Sequence, residues 1–179
     1  LRVAGGTDID VPDPDAAPLP VEMGEDMLAL RFAAQHGMDW RYVKKWGQWY
    51  QYDGDGWRPD EVDLIDRLSV EFCRQAANWP EAQTLTPEGK RRIAQRRTAG
   101  QVRDLARHDR AIAATTAQWD ADPYIIGVPG GVFCIDTGKI IEGDREQYVT
   151  KRCAVAPAHG TPTRWLEHLN RMMEGDTSM

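Results

Sequence analysis

Apolar residues at Val62, Ile65, Leu68, Phe72 and Ala76 recur at three- and four-residue steps, predicting an amphipathic helix over about residues 60–78. Acids at its start suit the positive end of the helix dipole, and Pro80 closes it. Met23, Met27, Leu30 and Ala34 form a second stripe, predicting a helix from about Glu22 to His36 that stops at Gly37. Thr86-Pro87-Glu88-Gly89 reads as an N-cap followed by proline at the first helical position. It opens a short helix over Lys90 to Thr98 that turns Ile93 and Ala94 inward. Gly100 separates this from a helix over Gln101 to Thr115 with Val102, Leu105, Ala106 and Ile112 facing in.

Between the first two helices the period changes to two. In Trp46-Gly47-Gln48-Trp49-Tyr50-Gln51-Tyr52-Asp53-Gly54-Asp55-Gly56-Trp57, aromatic residues alternate with polar ones and end in a glycine-rich turn. This predicts a β-hairpin with one aromatic face. After Trp119 further strands are expected over Tyr124 to Val128, Gly131 to Ile135 and Lys139 to Ile141, the last two joined by a turn at Asp136-Thr137-Gly138-Lys139. A final helical stripe runs through Trp165, Leu166, Leu169 and Met172. The predicted fold class is α+β, mostly helical with two small antiparallel β-hairpins.

Residues 1–20 are rich in Asp, Pro and Ala without periodicity, so they read as an acidic linker. Residues 21–160 form one module, and 161–179 a separate helical segment. A chain of 179 residues is long enough to bury one sizeable core. No apolar run approaches bilayer length, so no membrane partner is expected. The acidic start lacks the apolar segment of a signal peptide. Cys73, Cys134 and Cys153 are scattered, as in a reduced, cytoplasmic protein. The net charge of −6 argues against a uniformly basic nucleic-acid binder. Its distribution changes that picture: residues 88–110 hold eight Lys or Arg against three acids, whereas residues 1–66 hold fourteen acids against six basic residues.

Several phrases together resemble a module of phage and plasmid primase-helicases, of the poxvirus and satellite-phage type. They are Glu22-Met23-Gly24, Arg41-Tyr42-Val43, Trp46-Gly47-Gln48-Trp49 and Asp53-Gly54 with Trp57, then Asp120-Ala121-Asp122-Pro123, Ile135-Asp136-Thr137-Gly138-Lys139 and Tyr148-Val149-Thr150-Lys151. Their order covers roughly residues 22–170. Where relatives carry Asn-Gly at one hairpin turn, this chain has Val128-Pro129-Gly130-Gly131. The resemblance implies a module lying between a primase domain and a superfamily 3 helicase domain of the same parent chain, those two domains being its partners. It implies that residues 161–179 begin the helix leading into the helicase, and that the polypeptide is an excised piece. ATP and Mg are implied for the parent helicase. No Gly-x-x-x-x-Gly-Lys-Ser/Thr phosphate loop occurs here, so no cofactor is expected in this chain.

Lys90, Arg91, Arg92, Arg96, Arg97 and Arg103 are the candidate nucleic-acid contacts, because a guanidinium fork donates two parallel bonds to a phosphate. Arg92 with Arg96, and Arg103 with Arg107, are one helical turn apart and share faces. The bland alternative is a solvated face paired with the acidic front half. Trp46, Trp49 and Trp57 are assigned to a structural aromatic hairpin. Base stacking is weighed against core packing there, and Asp39, Asp53, Asp55 and Asp60 disfavour it. Cys153, His159 and His168 lack zinc-ligand spacing, so no metal is expected. Asp120 with Asp122 and Asp53 with Asp55 read as turn formers, and neither Ser69 nor Ser178 sits in a nucleophile elbow. No catalytic residue emerges. Three functions compete: a non-catalytic coupling module binding single-stranded or forked DNA, an oligomerisation collar for a hexameric helicase ring, and an unrelated enzyme or regulatory binder. The first is preferred and the collar is its alternative.

Overall fold

The computed structural model describes residues 21–158 and 160–173. The expected 1–20 linker, His159 and the last six residues of the 161–179 segment lie outside the described residues. The fold class is α+β.

Helices α1 (Glu25–His36), α2 (Leu64–Ala76) and α4 (Arg96–Ala106) pack together, with the short α3 (Pro87–Ile93) beside α2 and α4. Their shared core holds Leu28, Phe32, Ile65, Phe72, Ile93 and Val102. Phe72 meets Phe32 edge-on at 5.3 Å and Trp79 at 5.4 Å, the geometry that ring quadrupoles favour.

Strands β1 (Trp40–Val43), β2 (Gln48–Tyr52), β3 (Trp57–Pro59) and β4 (Ala113–Ala114) form one sheet in the order β3-β2-β1-β4. The first three are antiparallel, and β4 runs parallel to β1. Register pairs Tyr42 with Trp49 and Tyr52 with Trp57. Because side chains alternate between faces, Trp40, Tyr42 and Trp49 turn to the helices. Val43, Tyr52 and Trp57 turn the other way into a second core with Ala114, Trp119 and Tyr148. The sheet is therefore a middle layer, apolar on both sides.

A second sheet is a meander of β5 (Ile125–Val128), β6 (Gly131–Cys134) and β7 (Lys139–Ile141). Residues 149–153 join the two sheets. Trp57 N donates to Val149 O at 2.9 Å, Gly127 N to Lys151 O at 2.9 Å, and Cys153 N to Gly127 O at 2.8 Å. The final helix α5 (Thr163–Met172) buries no residue.

Several expectations need correction. The aromatic stretch is not a hairpin with one aromatic face: Trp49 turns to the helices, while Tyr52 and Trp57 turn to the other side and pack with Trp119 and Tyr148. The first α-helix starts at Glu25 after a 3-10 turn at Val21–Met23, and buries Leu28, Ala29, Phe32 and Ala33. Leu30 and Ala34 are exposed on its outer side, and Met27 is only partly buried. The second starts at Leu64, with Val62 exposed before it, since the Asp60 carboxylate accepts from Leu64 N at 2.9 Å and Ile65 N at 3.0 Å. Gly100 lies inside α4, and the chain breaks instead at Ala94 and Gln95. Leu105 is exposed, and Ile112 is buried from a non-helical segment that leads into β4.

Candidate nucleic-acid interface

The basic stretch is divided by the break between α3 and α4. Thr86 caps α3 by accepting from Gly89 N at 3.1 Å, and Pro87 fixes its first turn. Lys90, Arg91 and Arg92 then occupy the last turn of α3, where the helix dipole favours cations. The Thr98 hydroxyl donates to Arg92 O at 2.8 Å, tying the two helices across the break. Burial of Ile93, Ala99 and Val102 points the intervening positions outward, so Arg91, Arg96 and Arg97 are exposed and Lys90 and Arg92 half-buried.

Their neighbours differ. Arg91 lies 3.4 Å from Glu88, both highly exposed, a pairing of little energetic weight. Lys90 Nζ donates to Gln83 Oε1 at 3.3 Å. Arg96 and Arg97 stand in the first turn of α4, which holds no acid. Cations there face the positive helix end, an arrangement that helix electrostatics disfavour by a few tenths of a kcal/mol, about 0.3 or more each. An anion docked there would offset the repulsion. Arg103 is different. It bonds Asp66 of α2 and, at 2.9 Å, Asp104, with Arg107 also 3.4 Å from Asp104. It faces the α2–α4 junction rather than the corner.

The three tryptophans of the aromatic stretch separate as well. Trp49 is buried on the helical side, 5.1 Å from Tyr42 and 6.5 Å from Trp40. Trp57 is buried on the other side, stacked on Tyr148 at 5.9 Å, and its Nε1 donates to Arg145 O at 2.9 Å. Trp46 does not join either core: it sits in the turn between β1 and β2 and is 46% exposed, since β2 begins only at Gln48. Burial first, and then the charge of Asp120, raise the Tyr50 phenol above its ordinary range, so it serves only as a neutral ring beside Trp119.

Two residues escaped sequence reasoning. Arg41 is buried in the second layer; its Nε donates to the Tyr148 hydroxyl at 3.1 Å, and its guanidinium lies 5.0 Å from the Trp57 ring. Period-two alternation in Trp40-Arg41-Tyr42-Val43 placed it on a definite face, the one available signal. Trp119 closes the same core, and its Nε1 is buried without a hydrogen-bond partner among the described residues. Among those residues, no group of three or more His, Cys, Asp or Glu could hold a metal ion. None of the described helices is long and apolar enough to cross a membrane.

A protein-family model described as D5 N terminal like matches residues 29–174, spanning both sheets and all of α2 to α5. No curated protein matches the chain.

Proposed function

We propose that this chain, which belongs to the D5 N-terminal-like family of phage and viral primase-helicase proteins, is a non-catalytic coupling module that holds DNA beside the motor during replication. The observation carrying this reading is the α3–α4 corner: five basic residues within eight positions, two of them set against the dipole of α4. Single-stranded or forked DNA is the partner whose phosphates suit such a corner, with the helicase and primase domains of the parent chain alongside. ATP and Mg would belong to those domains.

Fluorescence anisotropy with labelled single-stranded and forked DNA, from low to moderate salt, tests the proposal. Binding should weaken as salt rises. In the Arg91→Gln/Arg96→Gln variant the slope of log K against log salt on single strands should fall by about 1.4, two phosphate contacts' worth. Absence of binding even at low salt would refute it. The collar alternative is favoured by one feature: α5 carries Trp165, Leu166, Leu169 and Met172 along one stripe, with Trp165 57% exposed. Sedimentation that shows only monomer at high concentration would remove that alternative for this chain.

A further inference from the structure

We infer that the β1–β2 turn, residues 44–47, is a base-stacking contact for single-stranded DNA, with the Trp46 ring as platform and the Lys44 and Lys45 ammonium groups as phosphate partners. The inference rests on the DNA-binding reading above and adds a site on the sheet layer, separate in sequence from the α3–α4 corner.

Three observations converge on it. The first is exposure. Trp40, Trp49, Trp57 and Trp119 are all at least nine-tenths buried, whereas Trp46 is not. An exposed aromatic ring beside exposed lysines is what an unpaired base and its phosphate require.

The second is rigidity. The Trp46 ring is held 5.8 Å from Tyr50 and 5.9 Å from Trp119, and those two rings are themselves 4.4 Å apart. The amides of Trp46 and Gly47 both donate to Val43 O, at 3.1 and 2.9 Å, and Gly47 closes the turn at φ +65. A ring fixed before binding loses little freedom when a base settles on it.

The third is electrostatic. Lys44 and Lys45 are exposed and have no salt-bridge partner among the described residues. Two acids that reach the neighbouring Gln48 and Tyr50 have their carboxylates hydrogen-bonded elsewhere. Asp60, whose carbonyl accepts from Gln48 Nε2 at 2.9 Å, spends its carboxylate on the amides that open α2. Asp120, whose charge reaches Tyr50, accepts from the Thr150 and Lys151 amides and the Thr150 hydroxyl.

The test uses the whole chain with a fluorescein-labelled oligo-dT strand and a duplex of equal length. Trp46→Ala should weaken single-strand binding roughly five-fold or more, the loss of one stacked base, and leave duplex binding unchanged. Trp46→Tyr should restore most of it. Lys44→Gln/Lys45→Gln should lower the single-strand salt slope by about 1.4. Wild-type affinity in Trp46→Ala would overturn the inference, as would equal losses on strand and duplex, or a Trp46→Tyr variant as weak as Trp46→Ala. If Arg91→Gln/Arg96→Gln loses binding while Trp46→Ala does not, the α3–α4 proposal survives and this site falls. If the wild-type chain binds no single strand at low salt, both fall.

Discussion

Arg41 and Tyr148, distant in sequence, meet in the second core, where Arg41 Nε donates to the Tyr148 hydroxyl at 3.1 Å. The same guanidinium donates to the carbonyls of Trp40, at 3.0 Å, and Gly37, and lies over the Trp57 ring. It thereby ties the end of α1, strand β1 and the C-terminal segment. Removing it leaves buried acceptors unpaired and strips a cation–π contact, so Arg41→Met should cost about 3 kcal/mol in urea unfolding. Arg41→Lys should recover little, because one ammonium cannot span the same fork. A Lys variant as stable as wild type would show that charge alone suffices.

Asp120 sits at φ +47, and its carboxylate accepts from Thr150 N at 2.7 Å and Lys151 N at 3.1 Å. Burial pushes its carboxyl upward, but the bonds from Thr150 and Lys151 outweigh burial and hold it below the ordinary range. Asp53 is lowered too: burial again opposes, and the Arg152 bond with the Asp55 amide prevails. Both shifts have the same sign in linkage. Each carboxylate stabilises the fold fully above its unfolded pKa, near 4, and that contribution fades as pH falls through the depressed folded value. Urea midpoints should therefore drop on acidification below about pH 4. Asp120→Asn, which keeps the left-handed backbone tolerable, should lower the midpoint at pH 7 and flatten the acid decline. An unchanged pH profile in that variant would contradict the assignment.

Much of this fold was legible in the chain, for identifiable reasons. The three- and four-residue steps of Ile65, Leu68, Phe72 and Ala76 marked α2, and alternation around Trp49 marked β2 and β3 but not β1. What alternation could not reveal was that both faces are buried, because the second face is covered by Trp119 and Tyr148, which come from distant segments without a periodic signal. Gly100 misled for a related reason. Glycine costs a helix about 1 kcal/mol, and burial of Ala99, Val102 and Ala106 against the other helices outweighs it. At the candidate interface, composition located the basic cluster but not its sorting, since Arg103 finds Asp66 only after α2 and α4 pack. Trp46 was hidden likewise: nothing in an alternating run says which ring falls in the turn.

The two glycines Gly100 and Gly131 should respond oppositely to alanine. A Cβ at Gly100 meets nothing within 4 Å, so Gly100→Ala should stabilise α4 by about 0.5–1 kcal/mol. At Gly131, φ is +147 and a Cβ would lie 2.2 Å from the Ile141 carbonyl oxygen, a backbone atom that cannot swing away. Gly131→Ala should part β6 from β7 and lower the thermal midpoint sharply. Equal effects in thermal melts would refute the distinction.

Cys73 is fully buried in the helical core, and burial, with Glu25 a lesser cause, pushes its thiol up to about 12. Cys153 is exposed and Cys134 half-buried. A thiol reagent at pH 8 should modify Cys153 first, and reach Cys73 only on the timescale of unfolding. Rapid modification of Cys73 in the folded chain would mean that α1 and α2 separate readily.

Arg103 and Arg96 lie on one helix, yet the structure gives them different work, and paired measurements separate the two roles. Arg103 joins α4 to Asp66 in the first turn of α2, with its side chain only 27% exposed. Arg103→Gln leaves Asp66 and Asp104 without their shared cation, so unfolding should become easier by about 1 kcal/mol. It should leave the salt slope of DNA binding unchanged, because Arg103 is engaged by carboxylates before any phosphate arrives. Arg96→Gln removes a cation from the positive end of α4, so stability should hold or rise by a few tenths of a kcal/mol, about 0.3, while the slope on single strands drops by about 0.7. The two variants thus move different observables. A fall in slope for Arg103→Gln would return that residue to the DNA-contacting set, and would mean that the Asp66 bond opens when DNA binds.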